Sequence, residues 1–493
     1  MIGLFATRRL AALALTSVVA TACSEGHDAA PRSLALSECR LPKLSVAAQC
    51  GTLTVPENRA APQGRQITLT VALLPANTLN PRPDPLFILP GGPGQAGTFL
   101  APFAAQLTGV RKDRDIVLVD PRGAGRSSPL LCAPFAPEES FDNVFDLDPV
   151  PRAAACAKEL VGRGIDPAQY TTAAWVDDLD AVRAALGYPK INLWGGSYGT
   201  RAALEYLRRH PDHVRSVVLD GVAPPSMIVS LDVWPSRDRA LDAIIERCAG
   251  VPACRAAHPD LTATLASIRA KLAPSGRDVL VTDPRTGDRQ PMHLTFDHVV
   301  AALQPLTYSP ELSALLPDVI TRAKADDYGP LLAAAQLVTG GLTEQVNVPL
   351  HYSVTCTEDV PRASAEARRS LDGVRSKALA ERVLAVCDVW PHGKAPTEAA
   401  TPVTSAIPVL ILSGGLDPVT PSSGGDLVAK TLANSRHIVA RGYGHIVSSH
   451  ACAPRLIAAF IDDPSFASLP AACVAHFETS TVPAPWPDRL GAR

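Results

Sequence analysis

The sequence predicts an α/β fold with a mostly parallel central sheet, helices on both faces and an inserted, mainly helical cap. Three observations predict it. Residues 116–119, Ile-Val-Leu-Val, form the continuous apolar run of a strand buried on both faces. Runs of this kind alternate with helical patterns as far as Asp220. The alternation then stops, and it resumes only at residue 407.

Each element has a local reason. Residues 67–74 alternate apolar and polar side chains after the turn-rich stretch Pro56 to Gly64, and read as a strand. Residues 86–89 are a short apolar run ending in Pro90-Gly91-Gly92-Pro93-Gly94. The run at 116–119 leads into Asp120-Pro121-Arg122-Gly123. Val176, Leu179, Val182 and Leu186 recur at helical spacing, and Gly187 ends that pattern. Residues 191–194 are another apolar run, followed by a helical stretch over 200–209 that stops before Pro211. Residues 214–219 form the next strand and close at Asp220-Gly221. The stretch 223–400 carries helical patterns at 239–246, 261–272, 296–306 and 311–323, with few candidates for central strands. Strands return at 407–412 and 437–439, and 455–461 is a closing helix.

With 493 residues, the chain has room for one large or two ordinary domains. The expected division is a leader at 1–22, a tether at 23–38, a first core part at 39–222, the helical cap at 223–400 and a second core part at 401–493. The formal net charge of −2 argues against a nucleic-acid partner, which would need a surplus of Lys and Arg.

The leader has a basic start at Arg8-Arg9 and an apolar run from Leu10 to Ala20, too short to span a bilayer as a mature helix. Small residues then precede Cys23, so the segment resembles a bacterial lipoprotein signal with Cys23 as the lipidated first residue. The other reading is an ordinary secretory signal cut near Ala22. A membrane contact is expected only through the lipid on Cys23, and Ser24 after it points to the outer membrane.

The chain has 11 cysteines, and setting Cys23 aside leaves an even set. These fall in sequential twos: Cys39/Cys50, Cys132/Cys156, Cys248/Cys254, Cys356/Cys387 and Cys452/Cys473. Pairing of neighbours would close five local loops in an oxidising compartment. No C-x-x-C pair exists, and Cys387 with His392 is a lone couple, so no metal site is expected.

Gly195-Gly196-Ser197-Tyr198-Gly199 follows the apolar run at 191–194 and precedes the helical stretch at 200–209. Strand, G-x-S-x-G, helix is the context of a nucleophile elbow. The turn is so sharp that side chains two before and two after the serine would collide with neighbouring backbone. A serine hydroxyl is a poor nucleophile near neutral pH, and needs a histidine to take its proton and an acid to orient that histidine. Both follow in order. The strand at 407–412 leads into Ser413-Gly414-Gly415-Leu416-Asp417-Pro418, and the strand at 437–439 leads into Gly442-Tyr443-Gly444-His445. His445 follows Asp417 by 28 residues, about the length of one helix and one strand. Asp426 falls within the helix expected after the acid loop, His437 begins a strand, and His450 lies beyond the glycine turn, so none displaces Asp417 or His445. The oxyanion donors expected are the backbone N–H of Tyr198 and that of Gly92, since Pro93 has none.

Together, the motifs at 90–94, 120–127 and 195–199, with Asp417 and His445, resemble the α/β-hydrolases of the secreted tripeptidyl aminopeptidase and prolyl aminopeptidase group. Cys50-Gly51-Thr52-Leu53-Thr54-Val55-Pro56-Glu57-Asn58 is similar to the start of the secreted branch, and Pro90 stands where prolyl aminopeptidases usually carry histidine. The resemblance implies an α/β-hydrolase fold, no cofactor, and release of one or a few residues from the free amino terminus of a peptide. Such a substrate calls for an anionic group near the cap to hold its ammonium. Glu358, in Thr355-Cys356-Thr357-Glu358-Asp359, is the candidate, with a disulfide at Cys356 able to fix it; a solvated acidic turn is the other reading.

The leading expectation is therefore a serine exopeptidase acting through an acyl-enzyme. The same triad could serve a carboxylic-ester hydrolase, since both reactions pass through a tetrahedral oxyanion. The third possibility is an envelope lipoprotein that uses the scaffold for binding alone.

Overall fold

The computed structural model describes residues 33–135, 147–284, 286–343 and 346–479. The leader, Cys23 and most of the tether lie outside these residues.

The strands are β1 (Ser37–Cys39), β2 (Ala48–Pro56), β3 (Gln66–Leu74), β4 (Leu86–Leu89), β5 (Ile116–Val119), β6 (Ile191–Gly196), β7 (Val214–Asp220), β8 (Arg277–Thr282), β9 (Arg289–Leu294), β10 (Val409–Gly414) and β11 (Ser435–Ala440). Nine of them build one sheet in the order β1-β2-β3-β5-β4-β6-β7-β10-β11. From β5 to β11 every neighbouring pair is parallel. The edge formed by β1, β2 and β3 is antiparallel, and β3 also meets β5 antiparallel. The turn-rich link between β2 and β3 is too short for a crossover, so it can only return the chain as a hairpin.

The apolar runs alternate across the sheet. Phe87, Leu89, Val117, Val119 and Leu193 pack on one face, under the helices Val150–Gly162, Thr172–Ala185 and Tyr198–Arg209. Leu86, Ile88, Ile116, Leu118 and Trp194 pack on the other, under the helices Ala453–Asp462 and Ala471–Thr479. Period-two side chains and burial on both faces explain why these strands read as unbroken apolar runs. The α/β fold with a mostly parallel sheet expected from the alternation is the fold observed.

Between β7 and β10 the chain is mainly helical. This region has its own core, in which Ile244, Leu265, Ile268, Leu303, Ile320 and Leu331 are buried. A second cluster, with Met227, Trp234, Leu371 and Leu384, includes Ala223 at the exit from the sheet. One feature departs from the sequence expectation: β8 and β9 form an antiparallel hairpin within the helical stretch. Only Val281 and Leu294 of the two strands are buried. The hairpin's one apolar run, Val279-Leu280-Val281, is short and lies among helical patterns; the turn is closed at Asp283, whose N–H donates to the Asp288 carbonyl.

Five disulfides join Cys39–Cys50, Cys132–Cys156, Cys248–Cys254, Cys356–Cys387 and Cys452–Cys473. Such a set belongs to an oxidising compartment and marks an exported protein. Among the described residues, no helix is long and apolar enough to cross a membrane.

Candidate active site

The site forms at the carboxyl ends of β6, β10 and β11, where parallel sheets bind ligands. Ser197 follows β6 with φ 56° and ψ −125°, a backbone conformation that costs energy for any residue but glycine. Its flanks have no room for side chains. A Cβ on Gly195 would strike the Gly199 carbonyl, and one on Gly199 would strike the carbonyls of Leu89 and Pro90. The glycines two before and two after the serine therefore let β6, the following helix and β4 approach at van der Waals distance.

His445 and Asp417 meet directly. His445 Nδ1 lies 2.8 Å from Asp417 Oδ2. The acid is held by three further donors: the N–H groups of Val419 and Thr420, each at 2.8 Å, and the Thr420 hydroxyl at 2.9 Å. Burial alone would push the His445 imidazole down. The charge of Asp417, its hydrogen bond and the charge of Asp220 outweigh that, and the net shift is upward from the ordinary histidine value. With Nδ1 engaged by Asp417, Nε2 is left as the position of the base.

Ser197 and His445 lie on either side of Asp220-Gly221. The Ser197 N–H donates to the Asp220 carbonyl at 2.9 Å, and a Cβ on Gly221 would stand 3.2 Å from the imidazole Cε1. Among the described residues the Ser197 hydroxyl makes no hydrogen bond; such contacts commonly close only when substrate binds.

The donors expected for an oxyanion flank this serine. Tyr198 opens the helix Tyr198–Arg209, so its N–H has no intrahelical acceptor. Gly91 sits so close that a Cβ there would lie 3.2 Å from the Ser197 Cβ, which brings the turn with Gly92 alongside. Gly92 has φ +108°, a conformation glycine adopts freely. Neither N–H donates to another group among the described residues.

Glu358 ends the helix Val348–Glu358 and is buried, not part of a solvated turn. Its two oxygens accept from the Thr172 N–H and the Thr172 hydroxyl, both at 2.6 Å, and that hydroxyl is 2.6 Å from the Tyr198 hydroxyl. Glu358 thus connects, through Thr172, to the residue after the serine. Burial pushes its carboxyl up to about 7, against the pull of the Thr172 donors. Among the described residues no cation lies within ion-pair distance of it. Asp359 differs: it takes Arg201 at 2.7 Å and Arg362 at 2.9 Å, and serves as a structural anion.

One positioning residue was not legible as such. Asp220, fully buried at the end of β7, accepts from the Val447 and Ser448 N–H groups, and so holds the loop that carries His445. The available signal is an acid closing an apolar strand, a position that Asp120 shares after β5. The cap also reaches the site: the Tyr308 carbonyl accepts the His445 N–H at 2.8 Å, and its ring meets the imidazole edge-on at 5.5 Å.

A second cluster, Asp180, His210 and His213, places its ligand-type atoms within 4.8 Å of one another. Asp180 is already committed to Arg183 at 2.7 Å and to the Tyr206 hydroxyl at 2.8 Å. A guanidinium on the carboxylate suits an ion-pair network better than a cation site.

Comparison with known proteins agrees with this geometry. Residues 84–449 match the family model described as the alpha/beta hydrolase fold. A stretch of 198 residues is 37% identical to the tripeptidyl aminopeptidase of Streptomyces lividans, and covers 36% of each chain. The match thus spans little more than a third of that relative's length. Serine protease Hip1 of Mycobacterium tuberculosis is 26% identical over 423 residues, 80% of this chain and 81% of that one. Carboxylesterase B of Mycobacterium tuberculosis is 28% identical over 424 residues, 78% of each.

Proposed function

Since the chain belongs to the α/β-hydrolase family, as a serine hydrolase, we propose that it is an exopeptidase releasing one or a few residues from the free amino terminus of peptides. In this reading Ser197 attacks the scissile carbonyl while His445 takes the hydroxyl proton. Asp417 keeps the imidazole in the tautomer that accepts at Nε2. The N–H groups of Tyr198 and Gly92 receive the oxyanion, each lowering the barrier by about 3–4 kcal/mol. His445 returns the proton to the leaving amine, and the C–N bond breaks. A water, deprotonated by His445, then cleaves the acyl-enzyme and regenerates the serine.

The observation that carries the amino-terminal reading is Glu358. It is a buried carboxylate with no basic partner at ion-pair distance among the described residues, tied through Thr172 to Tyr198. A substrate ammonium would supply the missing cation. The name of one relative, tripeptidyl aminopeptidase, supports the same reading, and that of another, serine protease, supports cleavage of peptides.

The second reading, a carboxylic-ester hydrolase with the same triad, is favoured by the similarity to carboxylesterase B. Hydrolysis rates for peptides with a free or an acetylated amine, set beside a simple aryl ester, separate the two. A free-amine preference that disappears in Glu358→Gln supports the exopeptidase. Equal rates with both amines, and faster ester cleavage, support the esterase. Fluorophosphonate labelling that vanishes in Ser197→Ala excludes a purely binding role. Anchoring at the outer membrane through lipid on Cys23 completes the proposal; metabolic labelling with a fatty acid, lost in Cys23→Ala, tests it.

A further inference from the structure

The turn Pro90-Gly91-Gly92-Pro93-Gly94 is rich in glycine, and Gly92 and Gly94 have φ +108° and +106°. Such a turn does little to hold itself in one conformation, because glycine loses the most freedom on ordering. Contacts from two sides hold it. From within the core, Gln95 Oε1 accepts the Gly91 N–H at 3.0 Å. From the cap, the Asn347 N–H donates to the Gly94 carbonyl at 2.9 Å, and Val346 pairs with Gln95 as an antiparallel bridge. The approach leaves no spare room: a Cβ on Gly94 would stand 2.5 Å from the Asn347 carbonyl oxygen.

Asn347 is itself fixed by further bonds. Its Oδ1 accepts the Leu350 N–H at 2.8 Å and so caps the start of the helix Val348–Glu358. Its Nδ2 donates to the Leu130 carbonyl at 3.1 Å, and the Leu130 N–H donates to the Gly123 carbonyl at 3.0 Å, in the loop after β5. The far end of the same helix is Glu358, which reaches the Tyr198 hydroxyl through Thr172. One cap helix of 11 residues, about 16 Å long, therefore meets at its two ends the segments that carry the two expected oxyanion donors.

We infer that Asn347 is a positioning residue for catalysis: it sets the Gly92 N–H against the developing oxyanion, with the helix Val348–Glu358 as the strut between the two donors. The cap is then part of the catalytic apparatus, not only a cover over it. The inference rests on the serine-hydrolase reading with Gly92 as a donor, and it holds for peptide and ester substrates alike. A donor displaced by about 1 Å costs up to about a hundredfold in rate, so a modest slackening of the turn is measurable.

Two variants test it on an aryl ester, whose hydrolysis does not depend on the exopeptidase reading. Asn347→Ala removes the helix cap and the Leu130 bond but keeps the N–H. Asn347→Pro also removes the N–H and sets a ring carbon against the Gly94 carbonyl; the φ of −72° at this position suits proline. We expect kcat to fall about three- to tenfold in the first and about ten- to a hundredfold in the second, with KM changed less than about twofold. Affinity for an alkyl boronic acid, whose adduct with Ser197 mimics the tetrahedral oxyanion, should fall by the same factor as kcat/KM. Inhibition by the matching alcohol, which forms no adduct, should stay unchanged; general damage to the fold would weaken both inhibitors alike. A folded Asn347→Pro variant with kcat within about twofold of native, or a loss of kcat that spares boronate affinity, would overturn the inference. If thermal unfolding shows that this variant has not folded, Asn347→Ala decides by the same two criteria. Gly92→Ala, whose Cβ would lie 2.7 Å from the Gly94 nitrogen, tests the donor itself. Native rates in Gly92→Ala would overturn the Gly92 reading and the inference with it, whereas a loss there with none at Asn347 would overturn the inference alone.

Discussion

The Asp220 carboxylate accepts the backbone N–H of Ser448 at 2.7 Å, across 228 residues of sequence. It also takes the Val447 N–H at 2.9 Å. Trp194 Nε1 donates to the Ser448 hydroxyl, so β6, β7 and the histidine loop are clamped together. Replacing Asp220 with alanine leaves two buried amides without an acceptor. We expect a loss of about 2–4 kcal/mol of stability by urea unfolding. A purely structural role would leave the pH profile alone. Because Asp220 helps raise the His445 value, the acid limb of kcat/KM should also move to lower pH in this variant.

Asp417→Asn should lower kcat by about 10⁴-fold while leaving the fold intact, because an amide favours the wrong imidazole tautomer. Ser197→Ala should lose turnover to a similar or greater degree, and with it all fluorophosphonate labelling. Steady-state kinetics and labelling by mass spectrometry check both. An Asp417→Asn variant with near-native kcat would remove this residue from the mechanism.

The pH dependence carries a definite sign. His445 must be neutral to act as base, and its value is raised above the ordinary 6.5. Activity should therefore fall as the solution is acidified through a midpoint above about 6.5. The charged imidazole also stabilises the fold: that contribution is present in full below about 6.5 and is lost as pH rises through the folded value. A kcat/KM profile with its acid midpoint below 6 would contradict the Asp417 contact.

Glu358 titrates near 7, up from an ordinary 4.5, because of burial. Its protonated form favours the folded state, so the stability it contributes below about 4.5 is lost as pH rises through about 7. An ammonium needs the ionised form. KM for free-amine peptides should fall as pH climbs through about 7, until the substrate amine itself deprotonates near about 8. Glu358→Gln should abolish this fall, and acetylated substrates should never display it.

The Cys356–Cys387 disulfide closes a 31-residue separation two residues before Glu358. By the chain-entropy estimate it stabilises the fold by about 3–4 kcal/mol. Replacing both cysteines with serine should cost that amount in urea unfolding and raise KM for free-amine peptides more than for acetylated ones. Equal KM changes for the two would show that the bridge does not orient the helix Val348–Glu358.

The elements that could be read from the chain are those whose cause is local. The apolar run 116–119 becomes β5 with the same bounds, and 261–272 becomes the helix Leu261–Leu272, because period and burial are written in neighbouring residues. Gly195 and Gly199 flag the sharp turn at Ser197 for the same reason. The hairpin β8–β9 was not read, since its apolar side, Val279 and Val281 with Met292 and Leu294, is only two residues long on each strand. Glu358 invites the reading of a solvated acid beside Asp359, and nothing nearby reveals its hydrogen bonds to Thr172, 186 residues away.

By itself the sequence determined which backbone each segment prefers and which residue types close the strands, since propensity, periodicity and glycine sterics act over a few residues. Only the tertiary structure decided who faces whom where no motif announced it: Asp220 with the amides of the histidine loop, Glu358 with Thr172. Those pairings depend on strand order and on how the cap folds back, and burial then sets the charge each group carries. The physical reason is that a contact between distant residues leaves no imprint on the residues beside them in the chain.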